Sequence, residues 1–355
     1  MKRILSFCLA VLMCGCLFGC APKQQKFQYQ FFDTFDTIIR VVGFAKTQEE
    51  FDGYAQYAHD RFRRLNNLFD KFEDHGLTNG IAAVNAMAGV EPIKVDPQVM
   101  ELILFSMEWQ QKTDGAVDIT MGPLISVWQD YIARYSPENE NAKLPSGQEL
   151  EDAAQLCGTH LLEIDQQAGT VWLKEKGASL DVGAVAKGYA TELVAQELQQ
   201  MGWESFSISS GGNVRTCGQP KNGNDYWNIG IQNPASGAVL AEQSELLDVV
   251  SVNDSSVVTS GDYQRYYMVG EKRVHHIIDP VTLMPADHYC SVTVVTPHSG
   301  QADLFSTALF VMDLESGKQL AEQYDLGVLW VMSDGSIQCS NAILPMLRGD
   351  SLEQK

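Results

Sequence analysis

Apolar residues recur at helical spacing in two early stretches of this chain. Over Phe51 to Phe72 they fall at Tyr54, Tyr57, Ala58, Phe62, Leu65 and Leu68. Over Asp96 to Thr113 they fall at Val99, Leu102, Leu104, Phe105 and Met107. Both patterns predict amphipathic helices. Further helices are predicted over Gly147 to Cys157 and over Tyr189 to Met201, the latter with Leu193, Val194 and Leu198 on one stripe. Ser136 to Ser146, with Pro137 and Pro145, reads as a loop. From about Ser205 the texture changes to short strands: Ser205 to Ser209, Trp227 to Gln232, Leu246 to Val252, Arg265 to Val269, His275 to Ile278 and Ser291 to Val295. Helix returns over Gln301 to Met312 and Ser316 to Tyr324, and Val328 to Met332 with Ile337 to Cys339 reads as a closing hairpin. Such a mixture predicts an α+β fold with largely antiparallel sheets, not a doubly wound parallel one.

The first 30 residues follow another pattern. Lys2 and Arg3 precede an apolar run from Ile4 to Phe18, short for a membrane span and suited to a cleaved leader. Leu17-Phe18-Gly19-Cys20 resembles a bacterial lipoprotein signal, which makes Cys20 the lipidated residue, with Cys16 a weaker competitor. Residues 1–19 are expected to be signal peptide, 20–30 a polar tether and 31–345 one body, extracytoplasmic and lipid-anchored to a bacterial membrane. The formal charge is −20, nearer −22 without Lys2 and Arg3, which excludes nucleic acid as a natural partner. Cysteines 157, 217, 290 and 339 make no zinc spacing; disulfides and buried thiols both fit them.

Four stretches carry candidate chemistry. In Leu180-Asp181-Val182-Gly183-Ala184-Val185-Ala186-Lys187-Gly188, an acid, small residues and a lysine open a helix after Ala178-Ser179-Leu180, which reads as a strand end. Gly183 and Gly188 allow close approach, and first-turn N–H groups attract anions; a plain structural turn fits equally. Asp114 to Leu124 holds Gly115 and Ala116, flat enough for a ring, and Asp118, or forms a strand-edge turn punctuated by Gly122-Pro123. Ser209-Ser210-Gly211-Gly212-Asn213 is a phosphate nest or a simple Gly-Gly turn. Val258 to Tyr267 leads to His275-His276-Ile277-Ile278-Asp279-Pro280. Beyond it, Asp303 and Thr307 share a helical face, as ligands of a hard cation or as an ordinary surface pair.

Taken in order, DGAVDITMGPL, LDVGAVAKGYA, SSGGNVR, WNIGIQNP, VTSGDYQRYY, HHIIDP and ADLFSTALFVM resemble the FAD:protein FMN transferase (ApbE) family over roughly Phe31 to Met332. The resemblance implies a T-fold-like α+β architecture with FAD in a cleft between two parts. It implies transfer of FMN from FAD to a Thr hydroxyl of an acceptor flavoprotein bearing a Ser/Gly/Ala-Thr site, with release of AMP and with Mg²⁺ (Mn²⁺ as alternative) as the ion. Residue by residue, it puts Ala116, Val117, Asp118, Asp181, Lys187 and Ile278 at flavin-nucleotide contacts. It puts the Ala184 carbonyl, Asp303 and Thr307 on the metal and gives His276 a general-base role. Two departures stand out: Phe35-Asp36-Thr37 replaces the family's Met-Gly-Thr, and Thr282-Leu283 replaces its Thr-Gly. The rival readings are an FAD pyrophosphatase, with water as acceptor, and a flavin-binding lipoprotein without catalysis.

Overall fold

The computed structural model describes residues 24–236 and 246–349. The predicted leader and Cys20 lie outside the described residues. Residues 25–30, expected in a tether, instead form strand. β1 (Gln25–Thr34) and β2 (Thr37–Ala45) pair antiparallel. Phe27, Tyr29 and Phe31 alternate toward the core with Gln28 and Gln30 facing out, the period of a half-buried strand, which outweighs the polar composition that suggests a tether. At the other end the body runs past 345, because Leu347 bridges Val250. Among the described residues no helix is long and apolar enough to cross a membrane.

Next along the chain come α1 (Gln48–Phe69), α2 (Ile81–Ala86), β3 (Ile93–Lys94), α3 (Pro97–Lys112), α4 (Gly122–Arg134), α5 (Gly147–Ala154), β4 (Leu162–Asp165) and β5 (Thr170–Leu173). They are followed by α6 (Ala186–Gln200), β6 (Phe206–Ser210), β7 (Asn213–Cys217), β8 (Trp227–Gln232), β9 (Leu246–Val252), β10 (Ser256–Gly261), β11 (Tyr266–Val269) and β12 (Lys272–His275). The last are β13 (Tyr289–Thr296), α7 (Ser299–Val311), α8 (Leu314–Gln323), β14 (Gly327–Met332) and β15 (Ile337–Cys339). Eight strands make one antiparallel sheet in the order β1-β2-β6-β7-β10-β13-β14-β15. The expected α+β class therefore holds.

Helices α1, α6 and α7 lie on one face of that sheet and share its main core, which includes Phe62, Leu65, Ile208, Phe305 and Trp330. A smaller core joins α4, α5 and the β11–β12 hairpin around Trp128, Tyr267 and Val274. A third, with Val250 and Leu329, packs the β8–β9 ribbon on the far end of the sheet. The functional cleft opens between the first two cores.

Several element ends differ from the sequence reading, and each difference shapes the cleft. The helix expected to reach Phe72 stops at Phe69, because the Asp70 carboxylate accepts hydrogen bonds from the Phe72 and Glu73 N–H groups and turns the chain. Gly122-Pro123 does not end an element; it begins α4, with proline in the first helical turn. Ala178 to Leu180 is extended but belongs to no strand. There the Asn85 amide stands in for a neighbouring strand, accepting from the Leu180 N–H at 2.7 Å and donating to its carbonyl at 3.0 Å. β12 ends at His275, so His276 leaves the ladder. Cys157, Cys217 and Cys290 are free thiols.

Candidate active site

The ten nonlipid site residues nominated from sequence all line one cavity of about 1200 Å³. That is slightly above the usual ~300–1,000 Å³ of small-molecule sites. Its floor is the junction of α6 and α7. Gly188, in the first turn of α6, donates its N–H to Asp303 Oδ2 on α7 at 2.8 Å. A methyl group at Gly188 would overlap Asp303 Cβ and the Ser299 carbonyl, so only glycine permits this approach. The helices are also tied by Glu192, whose Oε2 accepts from the Ser299 N–H at 2.7 Å and from Arg215 Nε at 3.1 Å, all three residues being buried. Asp303 is 5 % exposed. Among the described residues no donor reaches its Oδ1. Thr307 stands one turn on, its hydroxyl making only a long 3.4 Å contact to the Asp303 carbonyl.

Among the described residues no three Asp, Glu, His or Cys side chains are placed to hold a metal by themselves. A metal on this floor would use the Asp303 carboxylate, the Thr307 hydroxyl and the Ala184 carbonyl, which share the cavity wall. These are hard oxygen donors, few in number, and they fit Mg²⁺, which keeps waters and substrate phosphate oxygens in its shell.

Asp181 does not stand alone. Its Oδ1 accepts from the Gly183 N–H at 2.8 Å, and its Oδ2 is 2.6 Å from Lys71 Nζ. Lys71 also donates to Gln129 Oε1 on α4 at 2.7 Å, and both ion-pair partners are nearly enclosed, at 11 % and 7 % exposure. Lys71 and Gln129 escaped the sequence reading. They belong to no motif, and 110 positions separate Lys71 from Asp181. The turn that breaks α1 at Asp70 is what delivers Lys71. Asp118 is largely occupied by its own turn, with Oδ1 accepting from the Thr120 N–H and hydroxyl at 2.8 and 2.6 Å. Ala116, Val117 and Ile278 add an apolar wall.

The adjacent histidines have opposite surroundings. His275 is 3 % exposed and donates from Nε2 to the Ala286 carbonyl at 2.7 Å, while Nδ1 accepts from the Ile277 N–H. It is a structural residue, and burial holds its pKa down at about 4. His276 faces the cavity, with Nδ1 3.3 Å from the Arg265 carbonyl. A carbonyl only accepts, so Nδ1 carries the proton and Nε2 keeps its lone pair. Desolvation, then the neighbouring His275, Arg265 and Lys187, depress its pKa to about 3. It is therefore neutral across the physiological range, well below the ordinary imidazole value. Asp279 is spent within its own turn, accepting from the Val281 N–H and the Thr282 hydroxyl.

Both departures from the family motifs lie at left-handed backbone. Asp36 has φ 48° and Leu283 φ 62°, as does their neighbour Phe35 at φ 54°. Glycine would adopt these angles without strain, so the chain carries three side chains there at a conformational cost. Leu283 is compensated: its carbonyl accepts from Trp128 Nε1 at 3.0 Å, closing the smaller core. The Phe35-Asp36 turn sits beside the β6–β7 turn, where Gly211 has φ 54° and a methyl would strike the Thr37 side chain. Thus Ser209-Ser210-Gly211-Gly212-Asn213 is a hairpin corner lining the cleft.

Residues 35–330 match the model of the ApbE family. The chain is 30 % identical over 293 residues to a FAD:protein FMN transferase of Klebsiella pneumoniae, covering 80 % of this chain and 87 % of that protein. A Treponema pallidum protein of the same name is 32 % identical over 287 residues, covering 76 % and 75 %. Among solved structures, the ApbE protein of Thermotoga maritima superposes with a TM-score of 0.77 at 27 % identity, covering 91 % of this chain and 99 % of that one. The flavin transferase ApbE of Vibrio cholerae gives 0.76 at 24 % identity and covers 91 % and 99 %, a likeness of fold.

Proposed function

The chain belongs to the ApbE family, and from this premise we propose that it is an FAD:protein FMN transferase moving the FMN half of FAD to a threonine hydroxyl of an acceptor flavoprotein in a Mg²⁺-dependent reaction. The observation that carries the reading is the convergence of Asp181, Lys187, Asp303, Thr307 and a neutral His276 on one cavity. Asp303, Thr307 and Ala184 would hold the ion, which when bound neutralises charge on the pyrophosphate. His276 Nε2 takes the proton from the acceptor hydroxyl. The hydroxyl oxygen then bonds to the flavin-side phosphorus, the bridging P–O bond breaks, and AMP leaves with the bridging oxygen. Lys187, at the first turn of α6, brings positive charge to the phosphates, and α6 adds its N-terminal dipole. Lys71, 2.6 Å from its carboxylate, fixes Asp181 for its contact with FAD.

A chain of net charge −20 gains from a cation when it binds an anionic dinucleotide. We further propose that Cys20 anchors the chain by lipid to a bacterial membrane, with the body outside the cytoplasm. The decisive test is mass spectrometry of an acceptor domain carrying a Ser/Gly/Ala-Thr site after incubation with FAD and Mg²⁺. The expected result is a threonine heavier by one FMN less one water, with AMP in equal amount. Free FMN and AMP with an unmodified acceptor would instead establish a pyrophosphatase.

A further inference from the structure

Beside the cleft, β1 contains an irregularity that turns a phenylalanine outward. Phe31 pairs with Ile39 and Thr34 with Thr37, so Phe32 and Asp33 together oppose the single residue Ile38. This two-against-one geometry is a β-bulge, a device that re-aims side chains at the margins of sheets. Phe31 stays in the core, stacked on the His59 ring at 4.1 Å. Asp33 is drawn back onto α1, its carboxylate 2.8 Å from His59 Nε2 and 3.1 Å from Arg63 Nη2. Phe32 is thereby thrown out at 75 % exposure, beside Ile38 at 44 %. Phe72, delivered by the turn at Asp70, is 74 % exposed, and all three side chains border the cavity.

We infer that this lip docks the folded acceptor protein, through an apolar surface flanked by basic side chains next to the accepting hydroxyl. The inference rests on the transferase reading. Three observations favour that occupant. The patch is continuous with the cavity in which the hydroxyl must react, whereas single exposed apolar residues elsewhere need no explanation. The bulge is held by the Arg63 guanidinium and the His59 ring on the Asp33 carboxylate, so the exposure of Phe32 is built in. Asp36 and Glu73, exposed and in no ion pair among the described residues, flank the patch with Arg40, while the nearby Arg63 is paired with Asp33. That excess of negative charge suits a basic protein surface and repels an anionic bilayer.

The test compares wild type with Phe32→Ser, Ile38→Ser and the double variant, on a recombinant acceptor domain and on a short synthetic peptide with the same threonine. The double variant should raise KM for the domain roughly tenfold or more, the usual loss for truncated interface anchors. It should leave kcat, KM for the peptide, FAD affinity and acceptor-free FAD hydrolysis within about twofold. Phe32→Leu, which keeps an apolar side chain, should restore most of the domain KM. An unchanged KM for the domain, or FAD affinity falling in step with it, overturns the inference. So does loss of binding to phosphatidylglycerol vesicles with the KM unmoved, which would make the lip a membrane contact. Calorimetric titration of the acceptor domain separates this proposal from the one it rests on. A wild type that binds the domain through the lip but transfers nothing sinks the transferase reading and leaves the lip standing.

Discussion

The floor and the lip of the cleft are built by different means. The floor is two helices in contact, α6 and α7, locked by the absence of a side chain at Gly188, by the Gly188–Asp303 hydrogen bond and by the buried Glu192–Arg215 pair. Asp303, Glu192 and Arg215 are all buried, so the Asp303 carboxylate has little freedom. The lip consists of turn residues with left-handed backbone, a β-bulge and ion pairs that pin segments to their neighbours. On the proposed reading, chemistry that needs fixed distances would sit on packed helices, and recognition of a large partner would fall to reshaped strand ends. The contrast predicts that floor substitutions abolish the reaction, and that lip substitutions shift affinity or stability by smaller amounts.

The largest effect should come from the floor. Asp303→Ala and Gly188→Ala should each lower FMN transfer by about 10³ or more. The first removes the only side-chain charge proposed for the ion, and the second wedges the helices apart at an overpacking cost of roughly 1–3 kcal/mol. Single-turnover transfer and urea unfolding separate the two, because only Gly188→Ala should also lose stability on that scale. Next, His276→Asn should slow transfer by ~10²–10⁴ with FAD affinity kept, the range for a lost general base. The wild-type acid limb should lie below ~6.5, the ordinary imidazole value, because His276 is held neutral down to about 3. A limb near 6.5 that persists in the variant would remove His276 from the mechanism.

Smaller effects probe the supports. Lys71→Met strands the Asp181 carboxylate and should destabilise the fold by roughly 2–4 kcal/mol, less than a sealed pair because the cavity admits water. Lys71→Arg should recover most of it, as read from denaturant midpoints. Acid should weaken the protein through His275. Its folded pKa of about 4 lies below the unfolded value near 6.5, so its contribution is complete above 6.5 and is lost as pH falls from there to 4. The loss amounts to about 3 kcal/mol. Measuring it in the His276→Asn background isolates His275, and a flat stability curve over that window would refute its buried neutral state. The smallest change should be a gain: Asp36→Gly relieves a left-handed side chain and should raise stability by about 0.5–1 kcal/mol.

Much of the floor could be read from the chain, because each motif block there is local. Asp181 to Gly188 opens a helix, Asp303 and Thr307 share a turn, and His276 precedes Asp279-Pro280, so short spacings carried the information. The helices and most later strands also declared themselves through their apolar periods. What stayed hidden depends on distance or on disguise. The Lys71–Asp181 pair joins residues 110 positions apart, and the plain alternation of β1 lies in a stretch whose polar composition also suits a tether. α4 was missed because Gly122-Pro123 can begin a helix as well as end one. The bulge at Phe32 depends on register, and nothing in Phe31-Phe32-Asp33 says which aromatic turns inward.

The sheet order also bears on how the molecule is made. β2 lies between β1 and β6, and its residue Ile39 pairs with Ser210, some 170 residues later. The β2–β6 pair must close a loop of that length before it gains any ladder energy, a cost that slows folding relative to the local hairpins β1–β2 and β6–β7. Since the cleft draws on positions from Phe32 to Thr307, no N-terminal fragment assembles it. FAD binding should therefore appear only with the completed sheet. Flavin fluorescence during refolding would then report the closing of this long loop, and a ligand bound at that point would stabilise the native state by mass action.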